Sequence, residues 1–206
     1  MKILIVDDHA LIREGAAAML RGLRPDATVD EAGDCAGAIA AACRTRYDLI
    51  LLDLQLPDQP GFVALERIRA ECPETAVAVV SGQEDRATVL RALDLGAKSF
   101  VPKSTDSARM REAFAVVLDG GVYLPGSTAL LGAPPAAGAA LPWPLTDRQV
   151  EVLSLVVAGL PNKLIARRLD IAESTVKIHV SAILRELKVA SRTQALIAVA
   201  KAGVRF

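Results

Sequence analysis

Cysteine is scarce: Cys35, Cys43 and Cys72 are the only three in 206 residues, with no C-x-x-C spacing. An odd, scattered set indicates neither a disulfide framework nor a zinc site, and reads as buried thiols in a reducing cytosol. A net charge is also lacking, since 24 Lys and Arg balance 24 Asp and Glu. No secretory leader is expected, because the opening apolar stretch meets Asp7 within a few residues. No membrane span is expected either. The one long charge-free stretch, Gly121 to Thr146, holds five prolines and four glycines. A spanning helix needs about 20 apolar residues without such breakers, so this stretch reads as a linker.

The zero net charge conceals an asymmetry. Residues 1–120 carry 14 basic and 19 acidic side chains, whereas residues 141–206 carry 10 basic and 5 acidic ones. The length suits two ordinary domains. The reading is an acidic module at 1–120, a linker at 121–142 and a basic module at 143–206, the last suggesting a polyanionic partner.

In the acidic module, short apolar runs each end on a polar signal: Lys2–Val6 before Asp7 and Asp8, Leu49–Leu52 before Asp53, Ala76–Val80 before Ser81, and Ser99–Pro102 before Lys103. Such runs read as buried parallel strands, and Thr28–Ala32 supplies a weaker one. Helical stripes alternate with them: Leu11, Ala16, Met19 and Leu20; Ala38 to Cys43; Phe62, Leu65, Ile68 and Arg69; Val89, Leu90, Leu93 and Leu95; Met110, Phe114, Val117 and Leu118. Five strands alternating with five helices predict a parallel sheet covered on both faces. Pro102 removes a ladder hydrogen bond, so the fifth strand belongs at an edge.

Polar groups at strand carboxyl ends converge on one crevice. Three carboxylates there repel unless a cation joins them, and a hard ion with oxygen ligands, Mg²⁺, suits them. An aspartate beside a divalent ion, a hydroxyl and an ammonium can accept a phosphoryl group: the carboxylate attacks, and the cations neutralise the equatorial oxygens.

These residues resemble the receiver domain of two-component response regulators, through Ile3–His9, Leu52-Asp53-Leu54-Gln55-Leu56-Pro57 with Gly61, Ser81, and Gly96–Lys103. Each fragment is common alone, but the ordered set is specific. The resemblance implies a flavodoxin-like fold, with Asp53 the phosphoacceptor, Asp7, Asp8 and the Gln55 carbonyl joining Asp53 as Mg²⁺ ligands, and Ser81 and Lys103 completing the site. It makes Ser81 and Phe100 the switch pair, and sets Gln55 and Gln83 beside the phosphoryl group, where they influence water access. His9 is read as structural. Departures from the pattern are Gly82 for Ala, Pro60 for Asp and Ser104 for Pro.

The basic module is purely helical in pattern. Thr146-x-x-Gln149 forms a capping box for a helix through about Ala158, closed by Gly159. Asn162 is expected to cap a short helix to Leu169, Asp170–Ala172 to turn, and Glu173-Ser174 to open a longer helix to Leu187. Ser191-x-x-Gln194 reads as a second box, starting a last helix. The middle pair is a helix-turn-helix, its seam Ile165, Ala166, Leu169, Ile171, Val176 and Val180. Outside it stand Lys163, Arg167, Arg168, Ser174, Thr175, Lys177, Ser181, Arg185 and Lys188, cations and hydroxyls without facing carboxylates, a set suited to phosphates and a major groove.

Leu145-Thr146-x-Arg148-x-x-Glu151-Val152-Leu153, Gly159–Ala166 with Leu169, and Ser174–Val180 resemble the LuxR-type four-helix DNA-binding domain. The two-module chain therefore resembles the NarL/FixJ class of response regulators. That implies base contacts from Lys177 and Ile178 and phosphate contacts from Thr175 and neighbouring cations, with Ser181 standing where relatives often carry Lys. It also implies a dimer surface on the last helix, at Ala195, Leu196, Val199 and Ala200. The expected protein is a cytoplasmic transcription regulator, not an enzyme, and not membrane-bound. A sensor histidine kinase would phosphorylate Asp53, freeing the reading helix and pairing two copies on double-stranded DNA. Rival readings are a phosphorylation-independent regulator and a protein-interaction module. An aspartate-based phosphatase is disfavoured, because Gln55 stands where its acid/base carboxylate would be needed.

Overall fold

Five strands pair in parallel in the order β2-β1-β3-β4-β5: β1 Lys2–Val6, β2 Thr28–Ala32, β3 Leu49–Leu52, β4 Ala76–Ser81 and β5 Ser99–Pro102. The structure, a computed structural model, describes residues 1–124, 141–202 and 204. The central strands show no alternation because both faces are covered: Ile3 to Val6 and Leu49 to Leu52 are buried without exception. Edge strand β2 is half-exposed. The other edge is β5, where Pro102 lies in register with Ser81, and an edge position tolerates its missing N–H as expected.

Helices α1 Ala10–Leu23, α2 Cys35–Arg44, α3 Gly61–Glu71, α4 Arg86–Asp94 and α5 Ser107–Leu118 alternate with the strands. Each buries a narrow stripe, such as Phe62, Leu65 and Ile68 on α3. Leu11 breaks the expected α1 stripe and is 80% exposed, whereas Ala16, Ala17 and Leu20 are buried. At 3.6 residues per turn, Leu11 stands about 140° round the helix from Ala16, off the buried face. Cys43 is exposed rather than buried, and all three thiols are free.

The chain divides into two units, Met1–Ala115 and Val116–Phe206, a boundary five residues earlier than the one at 120 drawn from composition. Val122 and Leu124, expected in the linker, are buried, and the Val122 N–H donates to the Gly159 carbonyl at 3.3 Å. Residues 125–140, the rest of the expected linker apart from 141 and 142, lie outside the described residues. Among the described residues no helix is long and apolar enough to cross a membrane.

The second unit holds α6 Asp147–Val157, α7 Asn162–Leu169, α8 Glu173–Glu186 and α9 Arg192–Lys201. The Thr146–Gln149 capping box is present with both hydrogen bonds. Gly159 takes φ +83°, and a Cβ there would meet the Val122 carbonyl oxygen at 2.5 Å, so only glycine fits. Asp170 turns the chain between α7 and α8 in the left-handed region, φ 52°. Val152, Leu153, Val156, Ile165, Val176 and Ile183 form the centre of the core.

Two expected caps differ. Pro161 occupies the N-cap position of α7, so Asn162 is its first helical residue and does not cap it. The Asn162 Oδ1 instead accepts from Arg192 Nη1 at 3.0 Å. At α9, the Gln194 N–H donates to Ser191 Oγ at 3.1 Å, but Gln194 Oε1 accepts from Ala190 rather than closing the box on Ser191.

Candidate functional site

Register delivers the first site. Val6 pairs with Leu52 across β1 and β3, so Asp7 and Asp53 emerge side by side at the strand carboxyl ends. The Asp53 N–H donates to the Val6 carbonyl at 2.9 Å, and the Lys103 N–H to the Ser81 carbonyl at 2.8 Å. These bonds extend the ladder one residue past each strand and fix the polar groups to the sheet.

Lys103 Nζ reaches Asp53 Oδ2 at 2.6 Å and Asp7 Oδ2 at 2.7 Å. Both carboxylates are almost wholly covered, Asp7 at 3% and Asp53 at 1% exposure. Burial pushes the Asp53 carboxyl above the usual carboxylate range, outweighing the Lys103 hydrogen bond that pulls it down. For Lys103 burial acts downward, but its bonds to Asp53 and Asp7 prevail and hold the ammonium above its ordinary range. Asp53 Oδ1 also accepts from the Gln55 N–H at 3.2 Å.

Asp8 stands exposed at the crevice mouth. His9 Nδ1 lies 2.7 Å from Asp8 Oδ1 and 3.3 Å from Asp7 Oδ1, and the His9 N–H donates to Asp7 Oδ1. Carboxylate and imidazole atoms of Asp7, Asp8 and His9 lie within 4.8 Å of one another. A divalent oxygen-loving ion fits this place. One cation, Lys103, already bridges two carboxylates that face a common point, and a third carboxylate lies beside them without a lysine of its own.

Ser81 is fully buried at the end of β4, its Oγ accepting from the Gln83 N–H at 3.2 Å. Phe100 is fully buried in β5. Gln55 and Gln83 are exposed at the rim. Arg13 was not singled out from the sequence: its Nη1 donates to the Asp7 carbonyl at 2.7 Å while its Nε bonds Glu31 at 2.9 Å. It braces the backbone of a buried carboxylate from α1. Its only sequence signal is a position one turn after His9, which many surface arginines share.

The second site lies on α7 and α8. Lys163, Arg167, Arg168, Lys177, Ser181 and Arg185 are exposed and Thr175 is half-buried. Lys177, Ser181 and Arg185 recur every four residues and share one face of α8. Ile178 beside them is 69% exposed. The expectation of no facing carboxylate is corrected: Lys177 Nζ sits 3.3 Å from Glu173 Oε1, one turn earlier, and Arg185 Nε sits 3.7 Å from Glu186. Arg148 holds the end of α7 in place, its Nη2 donating to the Leu169 carbonyl at 2.9 Å.

Residues expected at a dimer surface are buried within the single chain. Ala195 and Val199 are 0% exposed and Leu196 is 4% exposed. Ala195 and Val199 belong to the helical core, because the short α9 uses its apolar stripe to close the unit. The Ala200 side chain lies outside those described.

The family model of the response regulator receiver domain matches residues 3–115, and that of the bacterial regulatory proteins of the luxR family matches residues 143–199. The chain is a two-component response regulator with a LuxR-type DNA-binding domain. The glycerol metabolism activator of Pseudomonas putida is 41% identical over 206 residues, covering 95% of this chain and 93% of that protein. The nitrate/nitrite response regulator protein NarL of Escherichia coli strain K12 is 36% identical over 201 residues, covering 95% and 93%. A solved LuxR family DNA-binding response regulator from Silicibacter pomeroyi is 36% identical with TM-score 0.54, over 62% of this chain and 98% of that one. A two-component response regulator RcsB–DNA complex shares the fold at 21% identity and TM-score 0.57, over 99% and 98%.

This response regulator is therefore a DNA-binding transcription regulator of a two-component system. Its receiver domain implies a histidine kinase as phosphodonor, and its LuxR-type domain binds DNA. Receiver domains bind Mg²⁺ at an acidic pocket, which matches the aspartate cluster of this one.

Proposed function

We propose that Asp53 accepts a phosphoryl group from the phosphohistidine of a sensor kinase, and that this modification governs DNA reading by α8. The observation that carries the proposal is the pair of carboxylates, Asp7 and Asp53, converging on one ammonium at adjoining strand ends. An Asp53 oxygen attacks phosphorus, the P–N bond breaks, and the departing imidazole takes a proton. Lys103 holds Asp53 as the carboxylate and then faces the new phosphoryl oxygens. Asp7, Asp8, Asp53 and the Gln55 carbonyl would hold Mg²⁺, which supplies positive charge against the equatorial oxygens.

The phosphoryl group adds about −1.5 to −2 charges, by analogy with other phosphorylated side chains. The Ser81 hydroxyl leaves the Gln83 amide to donate to a phosphoryl oxygen, and the buried Phe100 two strand positions before it in register terms, opposite Val79, moves with that strand end. On the proposed domain plan, 1–120 receives the signal, 121–142 connects and 143–206 binds DNA. Lys177 and Ile178 meet base edges, Ser181 lies beside them, and Lys163, Arg167, Arg168, Thr175 and Arg185 meet phosphates. Two copies bind double-stranded DNA as a homodimer, in the cytoplasm, where kinase output and operator meet.

The test is acetyl-phosphate or kinase labelling of the wild type and of Asp53→Asn, followed by selection from a randomised duplex pool. Labelling is expected to vanish in the variant, and an inverted repeat to be enriched with the phosphorylated wild type alone. Retained labelling would move the phosphosite. An identical motif in both states would remove phosphorylation from the control of binding.

A further inference from the structure

The loop from Asp53 to Gly61 carries both the phosphoacceptor and the carbonyl of Gln55. Its two ends are fixed by backbone: the Asp53 N–H to the Val6 carbonyl, and the Gly61 N–H to the Leu54 carbonyl, each at 2.9 Å. A Cβ at Gly61 would lie 2.1 Å from the Asp53 carbonyl oxygen, so the closure is as tight as backbone allows. Between these ends the loop is tied to another element by a side chain. Asp58 Oδ1 accepts from the Cys35 N–H at 2.9 Å and Asp58 Oδ2 from the Ala36 N–H at 3.0 Å.

Those two amides begin α2, and the next one, Gly37 N–H, is taken by the helix's own cap Asp34 at 2.6 Å. The start of α2 thus has its free donors divided between its own cap and a carboxylate from the phosphoacceptor loop. Hydrogen bonds from Cys35, ahead of those from Ala36, hold the Asp58 carboxyl below the usual range.

We infer that Asp58 is a positioning residue, whose two-oxygen clamp on the start of α2 holds the Gln55 carbonyl in place for the divalent cation beside Asp53. The inference rests on the proposed use of that crevice. Groups that orient metal ligands typically contribute about 10- to 100-fold to metal affinity. Because the clamp acts through a short loop closed at both ends, the lower figure is the expected one.

The experiment measures Mn²⁺ affinity of the full chain by the free-ion EPR signal, for wild type, Asp58→Ala, Asp58→Asn and Asp34→Ala, alongside thermal unfolding. Asp34→Ala removes a cap from the same helix without touching the loop, and so separates helix stability from loop position. Asp58→Ala is expected to weaken Mn²⁺ binding about tenfold. Asp58→Asn, which keeps one accepting oxygen, should fall between it and wild type, and Asp34→Ala should lower Tm with unchanged Mn²⁺ affinity. Wild-type affinity in both Asp58 variants would overturn the inference, and so would an equal loss in Asp34→Ala. If the wild type takes up no phosphoryl group yet these affinity differences appear, the phosphorylation reading fails and the positioning role stands.

Discussion

The crevice of the receiver and the proposed reading face of α8 both use lysine beside carboxylate, with opposite physical consequences. Lys103 is mostly covered and lies within 2.7 Å of two carboxylates that are themselves 4% exposed or less. Lys177 and Glu173 are 65% and 48% exposed at the side chain and 3.3 Å apart. In the first region solvent is excluded, so removing a partner strands a charge. In the second, water replaces whichever partner is lost. A phosphoryl switch needs the first kind of site, where one added group must rearrange its neighbours. A helix that meets DNA needs the second, where charges must exchange partners at little cost.

The largest break in this contrast is expected from Lys103→Met. Breaking a buried pair by deleting one partner costs about 3–5 kcal/mol, and here two carboxylates lose their shared cation. Urea unfolding in EDTA should show that loss, and Mg²⁺ should restore part of it by binding the folded state. Asp53 already titrates above its ordinary range. A group raised in the folded state favours folding below its unfolded pKa and loses that contribution as pH rises through the folded value. The variant should therefore regain stability as pH falls and Asp53 takes up a proton. A loss below about 1 kcal/mol, equal with and without Mg²⁺, would place Lys103 with the ordinary exposed pairs.

Lys177→Ala should act on recognition and leave folding alone. A good base contact carries about 1–3 kcal/mol of discrimination, so binding to the selected site should approach binding to random duplex while Tm holds. An unchanged footprint would remove Lys177 from the bases. Ile178 is the internal comparison: an isoleucine left 69% exposed beside Lys177 adds nothing to the core, and its place suits contact with a thymine methyl.

The same contrast explains what could be read in advance. Strand runs, their polar ends and the edge position of β5 were legible because a buried parallel sheet demands uninterrupted apolar segments, and register then forces Asp7 beside Asp53. The capping box at Thr146 was legible because both partners lie within one turn. Long-range polar contacts were not. Nothing local announces that Arg13 reaches the Asp7 carbonyl, that Asp58 completes α2, or that Asn162 serves Arg192 instead of its own helix. Ala195, Leu196 and Val199 could not be assigned from the sequence for a related reason. An apolar stripe on a terminal helix looks the same whether it faces a second copy or its own core, and here the helical core takes Ala195 and Val199.

The smallest expected effect is also the sharpest test of the exposed side. Glu173→Gln leaves Lys177 in place and removes the carboxylate one turn before it. Exposed i,i+4 pairs contribute about 0.3–0.5 kcal/mol. Glu173 also lies in the first turn of α8, where negative charge favours the helix. Folding should therefore weaken by less than about 1 kcal/mol. Binding should move the other way, because Lys177 no longer leaves a carboxylate to meet DNA and the approaching phosphates meet one negative charge fewer. A faster association rate at low salt, converging with wild type as salt rises, is the expected signature. Slower association would mean that Glu173 orients Lys177 for its base, and that even the exposed pair is preorganised.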